Sequence, residues 1–281
     1  MAITNFVPTI WSARLLEALR NEQIYTSAAV INRNYEGEIS AYGNTVKINS
    51  IGDVTVADYT KDTDIAAPEG LSSEQTTLVI DQAKYFNFLI DDIDKAQQNP
   101  KLMDAAMAQA GYNVAAVADN FVAGLYVNAG LAIADDTTPF VPTATTAYEL
   151  FTDARTKLTE NNVPMSGRYA IVPPWLVGML LKDDRFVSAG TIATDTVLRT
   201  GYIGKAAGFD IYESNSVPNT AGAKYKLQFG HPMAITFADQ ITEVEAYRPE
   251  KRFADACKGL HLYGAKVVRP KALLIATCNK A

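Results

Sequence analysis

The sequence predicts an α+β fold, and three observations point to it. Residues 101–129 run without proline and are rich in alanine, the signature of one long helix. Short apolar or alternating runs, such as Thr45–Asn49, Arg168–Val172 and Phe209–Tyr212, read as strands. Between two early strands, residues 58–73 are rich in Asp, Thr, Pro, Gly and Ser, as a long polar loop is.

Taken in order, Trp11 to Arg20 places Trp11, Leu15, Leu16 and Leu19 on one face of a short helix. Such a helix cannot bury that face alone, so it must dock on the body or on another subunit. Val46 and Ile48 alternate in a first strand, Val54–Val56 continues it, and Thr77–Ile80 returns. The result is an extended two-stranded loop with a polar tip. An isolated hairpin with so little apolar content is marginal, and a partner chain is its natural support. Asp91, Asp92 and Asp94 then open a helical region, their carboxylates meeting free N–H groups. Pro100 suits a first helical turn, and the helix that follows reaches about 43 Å at ~1.5 Å per residue. Its apolar residues spread beyond one stripe, so it should lie across a sheet.

Residues 135–139 form a turn. Thr146–Asn161 is an amphipathic helix with Leu150, Ala154 and Leu158 on one face. Arg168–Val172 is a buried strand, and Pro173-Pro174 starts a short helix through Leu181. Ser188–Gly201, small and polar, reads as a mobile loop. Phe209–Tyr212, Tyr225–Phe237 and Thr242–Tyr247 are strands. Phe253–Val268 is a strand region broken by Gly259 and Gly264, and Ala272–Cys278 closes the chain.

The 281 residues, 48% hydrophobic, suffice for one large domain or two small ones with real cores. A net charge of -6 repels phosphate and disfavours dedicated nucleic-acid binding, though it suits the inner wall of a container. Cys257 and Cys278 each sit in an apolar run and read as buried reduced thiols, with a disulfide as the alternative. No signal peptide is visible, and the polar residues between Leu102 and Val127 forbid a bilayer span, which points to a cytoplasmic product.

Motifs of chemistry are sparse. Gly204-Lys205-Ala206 lacks both the glycine spacing and the hydroxyl of a phosphate loop, and reads as part of a tight turn. His231, between Gly230 and Pro232, suits a turn; His261, between Leu260 and Leu262, suits a hydrogen-bonded place in a strand. Neither lies in a catalytic motif. Asp58, Asp62 and Asp64 lack the order of a calcium loop, leaving adventitious cation binding at an interface as a minor alternative.

Two collinear stretches carry more: Asn161 to Pro174 (NNVPMSGRYAIVPP) and Gly204 to Asn215 (GKAAGFDIYESN). Together they resemble the wedge, or axial, domain of tailed-bacteriophage major capsid proteins of the Hong Kong 97 type. The opening ITNFVPTIWSAR (3–14), NRNYEGEI (32–39) and GNTVKI (43–48) are similar to coat proteins of the P22-like branch without an inserted domain. The likeness covers nearly the whole chain, and its weight lies in the order of the parts.

The resemblance implies an N-terminal arm (1–41), an extended loop (42–82) and a peripheral domain (83–160) with a spine helix (101–129). It also implies an axial domain (161–238), peripheral strands (239–269) and a C-terminal strand (270–281) returning to the axial domain. It implies a self-assembling icosahedral shell of hexamers and pentamers around double-stranded DNA, with no catalysis, cofactor or membrane. Capsomers would close around residues 188–201, the loop would lie over the adjacent subunit, and the arm would reach under a neighbour. The peripheral elements would meet near local threefold axes. Inter-subunit contacts would involve Trp11, Arg14, Arg33, Tyr35, Lys47, Asp58, Lys61, Glu69, Arg199 and Arg248. Lys47 and Lys61 have two readings: an isopeptide with a neighbour's asparagine, or solvated and salt-bridged lysines, which most such shells use. An arm starting at Met1 implies a separate scaffolding protein. A portal protein and non-specifically contacted DNA complete the partners, in a virion capsid assembled in the host cytoplasm. The alternatives are an encapsulin-like compartment shell and, from another class, a soluble α+β hydrolase.

Overall fold

The computed structural model describes residues 23–34, 45–51, 73–91, 102–143, 145–182, 202–251 and 253–280, together with 56–59, 61, 62, 64, 67 and 70. The helix expected at 11–20 and the loop expected at 188–201 lie outside the described residues.

A six-stranded mixed sheet centres the main core. Its order is β4 (Leu131–Ile133), β11 (Leu273–Cys278), β8 (Tyr225–Gly230), β5 (Tyr169–Val172), β7 (Phe209–Glu213) and β6 (Tyr202–Ala206). The pairs β4/β11 and β5/β7 are parallel, and the other neighbours are antiparallel. Strands covered on both faces are apolar without alternation, and β5 and β11 are buried at every position. Helices α2 (Ala147–Glu160) and α3 (Pro174–Leu180) belong to this core. Phe151 of α2 meets Phe209 and Phe229 edge to face, with ring centroids 6.4 and 5.3 Å apart. Each such ring, fully withdrawn from water, contributes about 2–3 kcal/mol. Arg168, 2% exposed, folds the loop after α2 back beneath the helix. Its guanidinium donates to the carbonyls of Val163 (2.7 Å) and Pro164 (2.8 Å) and to Thr159 Oγ1 (3.1 Å).

Helix α1 (Leu102–Gly124) continues as a 3-10 turn to Asn128. Its two halves serve different cores. Ala118, Val122 and Ala123 join the main core, whereas Met107, Val114 and Ala115 pack with Cys257, Phe86, Phe88 and Val244. The second set faces a three-stranded antiparallel sheet in the order β3 (Gln82–Asp91), β10 (Ala254–Val267), β9 (Ile235–Tyr247).

The third sheet is a hairpin of β1 (Thr45–Ile51) and β2 (Ser73–Val79), in unbroken register from Thr45↔Val79 to Ile51↔Ser73. Ile48, Leu78 and Ile80 form a small separate cluster with Ala238 and Leu262.

Several elements differ from the sequence reading. Strand β3 was not expected there; Asp91 ends it instead of opening a helix, and residues 92 and 94 lie outside the described residues. Val56 is not in a strand, and Val54 is not described. The break in 225–247 falls at His231, whose ring accepts from Met233 N across a 3-10 turn of Pro232–Ala234; β9 then runs on to Tyr247. β10 is one continuous strand, and its pairing with β9 shifts at Leu260/His261, where β9 carries one extra residue, Thr242. Its glycines mark close approaches, not interruptions. A Cβ on Gly259 would lie 2.4 Å from the Phe86 ring, and one on Gly264 would lie 2.3 Å from the Val79 carbonyl oxygen.

Candidate assembly surfaces

Residues 23–34 form a strap that two carboxylates, one buried and one partly buried, hold to the body. Asp119 of α1 accepts from Ile24 N (2.8 Å), Tyr25 N (3.2 Å), Thr26 N (3.1 Å) and Thr26 Oγ1 (2.7 Å). Burial pushes the Asp119 carboxyl above its ordinary range, and these four bonds oppose that shift without cancelling it. The strap seats Tyr25, Val30 and Ile31 in the main core. It then bridges to β9, with Asn32 N donating to Ile235 O (3.0 Å) and Phe237 N to Asn32 O (3.0 Å). Arg33 pairs with Asp239 at 2.7 Å and lies over the Phe237 ring. Asp239 also meets His261 Nε2 at 3.4 Å. Burial works against the Asp239 charge, yet His261 and Arg33 together hold its carboxyl below the usual range.

The hairpin is the opposite case. Its root is seated by Ile48, Leu78 and Ile80, while Val56 is 93% exposed and Tyr59 72% exposed beyond it. Seven paired residues span about 23 Å at ~3.3 Å per residue. Val56 and Tyr59 therefore stand exposed beyond that root, without cover among the described residues.

Among the described residues, the contact residues expected from sequence do not form one cluster. Lys47, Asp58 and Lys61 are exposed along the hairpin; Arg33 is engaged in the strap; Arg248 is exposed just after β9. Trp11, Arg14, Tyr35, Glu69 and Arg199 lie outside the described residues. Sequence reasoning missed the apolar surface beside β3. On the sheet face away from α1, Tyr85 is 80% exposed and Leu260 pairs with it across the ladder. Lys258 there bridges to Glu245 at 2.8 Å. Along β3, a groove of about 940 Å³ runs beside α1, lined by Phe86, Phe88, Ala110, Val114 and Val117 among others. No clear signal for it stands in the sequence, because apolar residues on both faces of β3 hide the period of two.

The residues considered for chemistry sit in structural places. His261 is 3% exposed and turned to Asp239. Lys205 pairs with Asp210 across the tight turn between β6 and β7. Cys257 and Cys278 are free and buried, and burial pushes the Cys278 thiol up to about 12. Among the described residues, no group of three His, Cys, Asp or Glu is placed to hold a metal ion, and no helix is long and apolar enough to cross a membrane.

Comparison with known proteins places this arrangement. Residues 73–276 match a family described as phage capsid protein. The fold is similar to that of a chain from Mycobacterium phage Che8, with a TM-score of 0.72 and 34% identity over 98% of both chains. It is similar also to the capsid of the cyanophage P-SCSP1u, at TM-score 0.69 and 16% identity, over 93% of this chain and 90% of that one. The mature capsid of bacteriophage PhiM1 follows, at TM-score 0.63 and 16% identity, over 92% and 86%. At that identity the last two speak to the fold alone. No curated protein sequence matches the chain. With a family match over most of its length, and the strap, spine helix and projecting hairpin in place, the chain belongs to the phage capsid protein family, as a major capsid protein of the Hong Kong 97-type fold.

Proposed function

We propose that identical copies close into an icosahedral shell of hexamers and pentamers around double-stranded DNA, with the hairpin of each copy lying across its neighbour. The observation that carries this is the hairpin itself: among the described residues it is seated at its root and presents Val56 and Tyr59 to solvent. Apolar residues exposed beyond the end of a thin two-stranded ribbon find cover in a closed assembly. The apolar groove beside β3 and the Tyr85–Leu260 face offer surfaces of the kind such contacts need.

In this reading residues 1–41 are the arm and 42–82 the extended loop. Residues 83–160 and 239–269 make the peripheral domain, and 161–238 with 270–281 the axial domain. Trp11, Arg14, Tyr35, Lys47, Asp58, Lys61, Glu69, Arg199 and Arg248 contribute to contacts between copies. Arg33 belongs to the same set, and its pairing with Asp239 ties the strap portion of the arm to the body. A separate scaffolding protein and a portal protein assist assembly in the host cytoplasm. DNA is held without sequence preference, and the net charge of -6 keeps the packed polymer from adhering to the wall.

The test is to excise residues 58–71, close the hairpin with a short turn, and image the product. Folded subunits that make no stable shells are expected. Normal shells from that deletion would overturn the role given to the hairpin.

A further inference from the structure

We propose that Gly264, with Lys266 beside it, is the positioning residue that sets the angle at which the β1–β2 hairpin leaves the body. The proposal rests on the reading that the hairpin lies across a neighbouring copy. The chain leaves β2 at Val79, passes through Ile80 and Asp81, and enters β3 at Gln82. Gln82 is already paired with Tyr263 of β10, so the passage from hairpin to body happens directly over the next residue, Gly264. A Cβ there would lie 2.3 Å from Val79 O, 3.1 Å from Ile80 Cα and 3.1 Å from Ile80 Cδ1. Two of these three atoms are backbone. The closest approach is therefore to backbone, which cannot yield as the end of a flexible side chain does.

A second tie acts at the same place. Lys266 Nζ donates to Thr77 O at 2.9 Å, fixing β2 two residues before the crossing. Leu78 and Ile80 close the seat by packing with Leu262 and Ala238. This seat is a cluster separate from the main core, so the hairpin's direction is adjustable without disturbing the six-stranded sheet. A lever magnifies any change: with a paired length of ~23 Å, a tilt of about 10° moves the tip by about 4 Å. That displacement exceeds the tolerance of a packed apolar contact.

The experiment uses the full chain under conditions in which the unaltered protein forms shells. Gly264→Ala should retain the far-ultraviolet circular dichroism of the parent. It should lower the fraction of subunits recovered in shells of parental diameter at least tenfold. Lys266→Met keeps the stem and removes the ammonium, and should broaden the diameter distribution. If Gly264→Ala does not fold, Lys266→Met decides alone. Parental yield and diameter from the variants that fold would overturn the proposal. The hairpin deletion, run in parallel, separates the two ideas. If it abolishes shells while Gly264→Ala and Lys266→Met assemble normally, the hairpin matters but Gly264 does not position it. If the deletion assembles normally, the underlying reading fails as well.

Discussion

Asp119 shows how a group can be costly to bury and still hard to remove. Its raised carboxyl pKa says that burial outweighs the four hydrogen bonds it receives. Deleting it would strand three backbone N–H groups and a threonine hydroxyl. Buried donors left without acceptors cost about 1–3 kcal/mol each, so Asp119→Ala should destabilise by about 3 kcal/mol or more. Urea unfolding of the unassembled chain measures this; a change near zero would mean that the strap is not held there. Asp239 works in the other direction with pH. Its folded pKa is lowered, so its contribution is present above the unfolded value of ~3.9 and lost as pH falls through the folded one. Asp119, raised, favours the fold below its unfolded pKa and loses that contribution as pH rises through its folded value. Asp239→Asn should therefore be less stable at neutral pH and lose less on acidification than the parent. Parallel pH–stability curves would contradict this. The two thiols give a simpler check. Cys257 and Cys278 are buried with raised pKa values, so iodoacetamide at pH 8 should label neither until denaturant is added.

Among the elements, the long helix and the strand at 169–172 were legible because one rule dominates each. Alanine-rich sequence without proline over 101–129 leaves little but helix, and an apolar run after a loop leaves little but a buried strand. β3 was not legible, because both its faces carry apolar side chains. Phe86 and Phe88 face α1, while Tyr85 and Leu89 are exposed on the other side, so the period of two is hidden. β10 failed for the converse reason. Gly259 and Gly264 look like breaks in a sequence, but here they admit a phenyl ring and a crossing backbone. Gly259→Val should accordingly lower the melting temperature, because its side chain would occupy the space of the Phe86 ring. A melting temperature equal to the parent's would show that Phe86 yields freely. The hairpin was legible in outline through its polar tip, though its second strand starts earlier than the Thr77 expected, at Ser73. The carboxylate anchors were not legible at all, since Asp119 and Ile24 come together only in the folded chain, 95 residues apart.

At the scale of the molecule, the shell role was readable from the order of parts more than from any residue. Most named contact residues belong to segments whose partners are expected in other copies, so a single chain cannot bring them together. The division of labour is physical. The main core, the strap and the α1-backed sheet are stabilised within one chain, whereas the described tip residues Val56 and Tyr59 stand exposed. The family and the fold are those of a shell protein, and in the proposed reading a neighbouring copy covers that exposed surface. The most direct measurement is electron cryo-microscopy of the purified full chain, alone and produced with the proposed scaffolding protein. Closed shells should appear, with density for each hairpin lying on an adjacent copy and Val56 and Tyr59 covered. A protein that stays monomeric in both preparations, or shells whose hairpins fold back on their own subunit, would contradict it.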